Sequence, residues 1–282
     1  MIRLSPATLL ALLLGLFLFG ATPVHAQPPT PPVPPLSEDD DDARLRPLEP
    51  DYTLVNIPTT MPLPVHAGNF HLTHRFNENL RRDSFSTQAS NLWGLDEGAT
   101  IQLEYRFGIM KHLEAIASRT NVDRDIQFSA KYDAFHQSDS RPLGLSGIVS
   151  IEGGNNFQTR YTPAIGVILS RTLSSVAAVY IDPIWTHNSL PGSDIVQNTF
   201  YVGVGARVRL RPSTFVVGEV SPRVSGHAPG DAEFAFAIEK RVGAHVFSLT
   251  FANTQATTYG QLARGGTPET LYLGFNLARK FF

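Results

Sequence analysis

Residue types suited to chemistry are present in this 282-residue chain, but their spacing rarely is. His71 and His74 are three apart; on an extended strand they point to opposite faces, so they cannot jointly chelate an ion and read as packing residues. His187, Asn188 and Ser189 are the types used in acyl transfer, yet a contiguous tripeptide is a loop, and a triad is defined by geometry. The five consecutive carboxylates Glu38 to Asp42 lack the interleaved ligands and turn-forming Gly of a calcium loop, and read as a solvated run. Gly203 and Gly205 lie inside a strand-like segment, where small residues make room for neighbouring side chains; no phosphate-cradling loop is present. The lack of Cys removes disulfides, thiolate zinc sites, thiol nucleophiles and lipid attachment at a Cys. No catalytic, cofactor-binding or metal-binding residue is therefore assigned, and an enzyme is the remotest reading.

The spacing that does recur is two. In Ile101-Gln102-Leu103-Glu104-Tyr105-Arg106-Phe107 one face is apolar and the other polar, and the same split returns in Ile126 to Asp133, Phe200 to Arg209 and Phe234 to Glu239. Following that register, Arg75, Arg106, Lys131, Arg160, Arg207, Arg209, Arg223 and Arg241 share a face with Glu104, Glu114, Asp133, Glu152, Asp182, Glu219, Glu233 and Glu239. The opposite face carries residues such as Leu103, Phe128, Val149, Ile165, Trp185, Phe236, Leu249 and Phe275, with almost no charge. An Arg or Lys facing lipid at mid-bilayer costs roughly 2–4 kcal/mol, so the apolar face belongs to lipid and the charged one to an interior. A soluble ligand-binding barrel would reverse the two. The predicted lumen-lining residues are Glu104, Arg106, Lys131, Asp133, Arg160, Asp182, Arg207, Glu219, Arg223, Glu239 and Arg241.

About twelve such segments follow His66, near 67–76, 99–107, 112–119, 124–135, 143–152, 157–170, 174–187, 198–209, 213–223, 231–240, 244–252 and 270–281. Tight links alternate with longer ones rich in Gly, Asn, Ser and Thr, notably 77–98, 188–197 and 253–269, as periplasmic turns and extracellular loops do; the links after the third and fifth strands break the rule by being short. Pro163, Pro183 and Pro222 interrupt the pattern and are expected at bulges or strand ends near the outer rim.

Ahead of these segments, Arg3, the apolar run Leu9 to Phe19 and Val24-His25-Ala26 have the form of a cleaved secretory signal over residues 1–26. Residues 27–64, rich in Pro and acids, read as a disordered periplasmic linker, and 65–282 as the barrel. Between Gln27 and Val65 lie seven acids and two bases, a net −5 in a chain of net −2; the signal carries +1, so residues 66–282 carry −2 + 5 − 1 = +2. No basic footprint for nucleic acid exists. The mean hydropathy of −0.07 excludes a polytopic helical membrane protein, but not one that crosses with strands.

His74-Arg75-Phe76, Leu92 to Ile101, Tyr105 to Ile109, Lys131-Tyr132, Glu219, Gly243 to Thr254 and Gly274 to Phe282 resemble an uncharacterised family of outer-membrane β-barrels, carried as a domain of unknown function, over about residues 66–282. The resemblance implies a single barrel domain and no established activity. The aromatic C-terminus ending in Phe282 also resembles the signal read by the barrel-assembly machinery. That signal places the terminal aromatic outward, whereas the register puts Phe281 there beside Arg279, and a bulge near the end would reconcile them. Outer-membrane phospholipases are barrels of about this size, but no matching Ser, His and Asn motif is found.

The expectation is an all-β, antiparallel, up-and-down transmembrane β-barrel in the outer membrane of a Gram-negative cell, with lipid and the assembly machinery as partners and no cofactor. Twelve strands enclose more than side chains alone fill, which favours a small passive channel for polar solutes. The alternative is a plugged, non-conducting barrel acting as scaffold or binding module through its loops or N-terminal tail.

Overall fold

The computed structural model describes residues 48–95, 97–190, 196–226 and 231–282; the predicted signal peptide and most of the predicted linker lie outside them. The two-residue alternation produces thirteen strand segments: β1 (Gly68–Asn79), β2 (Ala99–Met110), β3 (Leu113–Thr120), β4 (Ile126–Phe135), β5 (Gly144–Gly153), β6 (Thr159–Ser174), β7 (Ala177–Thr186), β8 (Thr199–Arg211), β9 (Thr214–Ser221), β10 (Arg223–Ser225), β11 (Glu233–Val242), β12 (His245–Ala252) and β13 (Tyr272–Phe281). Consecutive strands pair antiparallel, β1 pairs with β13 from Gly68↔Phe281, and β10 continues β9 beside β8. The thirteen segments therefore make twelve staves of a barrel closed through the β8–β9 and β1–β13 pairings, so that among the described strands only the three-residue β10 has one partner.

Turns as short as 175–176, 212–213 and 243–244 lie at the end where β1 begins and β13 finishes, which is the periplasmic end by the usual asymmetry of such barrels. The opposite, extracellular end carries 80–98, 187–198 and 253–271. Its two short links, 121–125 and 154–158, interlock: Asp123 O accepts from Asn155 N at 2.9 Å and Arg124 O from Asn156 N at 2.8 Å.

The faces divide as polarity requires. Leu103, Phe128, Val149, Ile165, Phe236 and Leu249 are exposed on the outside, while Arg75, Arg106, Lys131, Asp182, Arg207 and Glu239 are almost wholly buried on the inside. Outward charges such as Arg119, Arg171, Lys240 and Arg279 sit near strand ends. Aromatic clusters ring both rims, with His74, Phe76 and Phe275 at one and His245 with Phe247 at the other.

Three expectations need correction. The predicted linker does not run to residue 64, because residues 50–60 are packed inside the barrel: Tyr52, Leu54, Val55 and Ile57 are each 1% exposed or less, while Pro62, Pro64 and Val65 are exposed as the chain leaves it. Of the three prolines, only Pro222 interrupts a strand. Pro163 keeps its place opposite Ile151, and its carbonyl accepts from His187 N just beyond the end of β7. Opposite Pro183 the β6–β7 ladder lapses between Gly166↔Ile184 and Leu169↔Ile181, then resumes in the same register. No bulge lies near the C-terminus either: β13 pairs evenly with β12 from Ala252↔Tyr272 to His245↔Arg279, and Phe281 faces outward.

Candidate functional site

The lumen is occupied by the chain itself, from both mouths. From the periplasmic end, residues 48–65 rise and return as a hairpin, closed by the bridge Thr53↔Pro58 and by Leu54 N donating to Ile57 O at 2.8 Å. A two-stranded ribbon this short is not stable alone, and its turn leaves backbone groups unpaired in a water-poor interior. The wall supplies the partners. Glu219 of β9 accepts from Val55 N at 2.9 Å, Asn56 N at 2.8 Å and Ile57 N at 3.4 Å, so one carboxylate caps the whole tip. Arg207 donates to Thr53 O at 2.7 Å, Lys131 to Thr59 O at 3.1 Å and Met61 O at 2.6 Å, and Asn276 to Val55 O at 3.0 Å. Arg75 reaches the Asn56 side chain at 3.2 Å.

The hairpin's apolar side lies on a lane of small wall residues. Leu54, Val55 and Ile57 pack with Ala178, Ala235, Ala237 and Ala252. A Cβ on Gly205 would meet Leu54 Cδ1 at 2.3 Å, and one on Gly203 would meet Ile57 Cγ2 at 3.1 Å. The glycines do make room, as their sequence predicts, but for the hairpin rather than for neighbouring wall side chains. Tyr52 lies between two cations, with Lys280 Nζ 5.0 Å and Arg106 Cζ 5.9 Å from its ring. Burial, reinforced by Glu114 and Asp51, holds its phenol above the ordinary tyrosine range.

From the extracellular end, the 253–271 loop folds inward. Its short helix Tyr259–Leu262, capped by the Thr258 side chain, is buried, and Ala256, Tyr259, Leu262 and Ala263 pack on Ile116, Ile148, Ala164, Ile168, Ile184 and Tyr201. At the rim, Gln261 donates to Asp125 at 2.9 Å and Arg264 to Asp123 at 3.1 Å. Hairpin and loop meet at a cavity of about 20 Å³ lined by Thr53, Val55, Asn56, Thr257, Tyr259 and polar wall residues, room for about one water.

The predicted lining residues fall into four groups. Glu104, Arg106, Lys131 and Asp133 form one chain with Glu114: Arg106–Glu104 2.7 Å, Arg106–Glu114 3.2 Å, Lys131–Glu114 3.4 Å and Lys131–Asp133 3.5 Å. Arg207 and Glu239 pair through two hydrogen bonds, at 2.8 and 3.2 Å. Glu219 holds the hairpin tip, whereas Asp182, fully buried beside Gly203, accepts no hydrogen bond among the described residues. Arg160, Arg223 and Arg241 lie away from the middle. Arg160 joins the outer rim acids Asp125 at 2.8 Å and Asp123 at 3.4 Å, Arg223 sits against Gly265, and Arg241 bonds Gly243 O at the periplasmic end.

Sequence reasoning missed the hairpin itself, along with Asn56, Asn276 and the buried loop residues. His71 points inward, 3.9 Å from Asp51, and His74 outward onto Phe275. His187 bonds Asn198 at 2.7 Å while Ser189 Oγ meets Thr199 Oγ1 at 2.8 Å, so the tripeptide's hydroxyl and imidazole have separate partners.

Strand count, closure and an exposed apolar outer face around a buried polar interior define a transmembrane β-barrel of the outer-membrane class, filled by its own N-terminal segment and one loop. The chain belongs to the family described as a membrane bound beta barrel domain (DUF5777), which matches residues 51–281 and so takes in the hairpin. Among solved structures it resembles the NanC porin at 10% identity and TM-score 0.50, over 77% of this chain and 98% of that one. It also resembles an outer-membrane channel from Pseudomonas putida F1 at 12% identity and TM-score 0.50, over 78% and 97% respectively. At such identities the likeness is one of fold. No curated protein is similar to it in sequence.

Proposed function

We propose that this protein is an outer-membrane channel shut at rest by its N-terminal hairpin, which withdraws toward the periplasm to open a polar passage. The observation that carries the reading is the Glu219 cap on the hairpin tip. The hairpin is held by polar bonds to a charged wall, and those wall groups can be hydrated once it leaves. A permanent plug has no need of such a wall, since apolar side chains would fill the same space at no desolvation cost. Hairpin entry and exit at the same mouth permits withdrawal without unthreading. The passage would admit small polar solutes and carry both signs of charge. Handover to the assembly machinery through the outward-facing Phe281 and the terminal Phe282 belongs to the same proposal, as does a cleaved signal.

Purified full-length protein in planar bilayers tests it. Wild type is expected to be silent or to open rarely. Deleting residues 48–62, alone and together with replacement of 255–266 by a tight turn, is expected to give stable conductance steps. Silence from both variants, each still showing the heat-modifiable gel mobility of a folded barrel, would leave the plugged scaffold as the surviving reading.

A further inference from the structure

The extracellular loop between β1 and β2 behaves unlike the one that enters the lumen. The pairing of β1 with β13 is irregular after Arg75 and resumes at Asn79↔Tyr272; Tyr272 lies opposite buried Ala252, so Asn79 keeps the inward side and Glu78 the lipid side, where the loop packs on it. Gln88, itself buried, donates to Glu78 Oε1 and Asn79 O, each at 3.2 Å. Gly94 lies so close that a Cβ on it would come within 2.3 Å of Glu78 Cβ. The loop is thereby folded over the outer wall of the barrel, above the lipid-facing band. It presents Phe85, Leu92, Trp93 and Leu95 at 78%, 50%, 38% and 55% exposure, with Phe85 edge-on to Trp93 at 6.3 Å. Exposed Arg81 and Arg82 form a local basic pair beside them, Arg81 Nη1 donating to Pro268 O at 2.6 Å, although the whole link 80–98, with Asp83, Asp96 and Glu97, carries a net −1.

We infer that this loop is a lipid-docking element, seated in the interfacial zone of the outer leaflet. Phe85, Leu92, Trp93 and Leu95 meet acyl chains, and Arg81 and Arg82 meet phosphorylated headgroups. Continuity argues for lipid rather than a protein partner: the apolar patch extends the surface that already faces the bilayer, at the height where aromatic residues gather in such barrels. An amphipathic segment with aromatic and basic side chains gains both from apolar burial and from anionic lipid. A segment that exposed apolar residues to water at this height would have no reason to pack on the lipid side of the wall. The 253–271 loop, by contrast, turns its apolar residues into the barrel.

The chain has two tryptophans, so Trp185→Phe leaves Trp93 as sole reporter. The full-length variant would be reconstituted in phosphatidylcholine vesicles with brominated acyl chains, folding being checked by heat-modifiable mobility. Trp93 emission is expected to be quenched by the brominated chains and shielded from aqueous iodide; the reverse pattern overturns the inference. Adding Leu92→Ser and Leu95→Ser should weaken bromolipid quenching by about twofold or more, and unchanged quenching overturns the assigned contact. Phosphorylated lipid A in the vesicles should deepen Trp93 in a way that Arg81→Gln with Arg82→Gln abolishes. No response to lipid A in the parent variant overturns the headgroup half.

Discussion

The two inserts that fill the lumen are held by opposite means. The extracellular loop satisfies its own backbone with a capped helical turn and sits on a continuous apolar cluster, Leu262 and Tyr259 against Ile148, Ile168 and Ile184. The periplasmic hairpin brings polar backbone to a wall that completes it, through Glu219, Arg207, Lys131 and Asn276. The first resembles a piece of protein core and the second a docked ligand. The difference teaches where charge inside this barrel is used. In the middle of the barrel it gathers where the hairpin must be held without its own hydrogen-bonding partners, whereas the charges that meet the loop, Asp123 and Asp125 with Arg264, stand at the outer rim and leave the loop's inner face apolar.

That contrast breaks first at Arg207. Arg207→Met leaves Glu239 buried without its cation and removes the donor to Thr53 O, and should cost about 3–5 kcal/mol. The urea midpoint of the barrel refolded in vesicles reads the loss. Arg207→Met combined with Glu239→Leu should recover most of the barrel's stability but not the seating of the hairpin. Because the chain lacks Cys, Thr60→Cys in the hairpin and Ala256→Cys in the loop give independent reporters of exposure to a maleimide. Recovery of hairpin protection in the double variant would show that Arg207 serves the wall alone.

Leu262→Ala is the counterpart on the other insert. Truncating a fully buried leucine in the apolar cluster should cost about 2–4 kcal/mol. It should raise labelling at Ala256→Cys with little change at Thr60→Cys. Equal gains at both positions would mean the inserts move as one body, and the comparison fails.

How much of this was legible follows from what each segment had to satisfy. Ile101 to Phe107 could be placed on a strand, and its faces assigned, because lipid and lumen demand opposite polarities at alternate residues; β2 runs Ala99–Met110 with that assignment. The inward position of Arg106, Lys131, Arg207 and Glu239 was legible for the same reason. What they bind was not, since Thr53 lies 154 residues from Arg207 and Thr59 lies 72 from Lys131. The hairpin has no alternation to betray it, and Pro58, Pro62 and Pro64 made it look like more linker. Two signals were available. From Tyr52 to Val65 the chain carries no charge, unlike the acidic stretch before it, and the wall's inner face holds Ala178, Gly203, Gly205, Ala235 and Ala237, too small to fill a twelve-stranded lumen. Small inward residues in a wide barrel call for an occupant.

Glu219→Gln sharpens the contrast further. The amide keeps one acceptor oxygen but turns an NH₂ toward the backbone donors of Val55, Asn56 and Ile57, weakening a charge-assisted cap at a cost of about 1–3 kcal/mol. Hydrogen exchange at residues 54–59 should speed up roughly 10- to 100-fold, while that at 259–263 stays as in wild type. If the exchange rates at 54–59 do not move, the hairpin is held by its apolar side alone and the Glu219 cap is incidental.

The smallest effect expected is the one that separates shape from charge. Gly205→Ala puts a methyl where Leu54 Cδ1 now lies, within 2.3 Å of the new Cβ, without altering any polar group. Overpacking of this kind costs about 1–2 kcal/mol when the intruded side chain can swing aside. The hairpin is attached at one mouth only, so it can rise off the wall while the barrel strands keep their register. Labelling at Thr60→Cys should therefore increase modestly with no shift in the urea midpoint of the barrel. Pairing Gly205→Ala with Leu54→Val should return labelling toward wild type, because the shorter side chain vacates the contested volume. A barrel midpoint that falls with Gly205→Ala and is not rescued by Leu54→Val would mean that Gly205 serves the strand itself, and that the lane of small residues is not a seat for the hairpin.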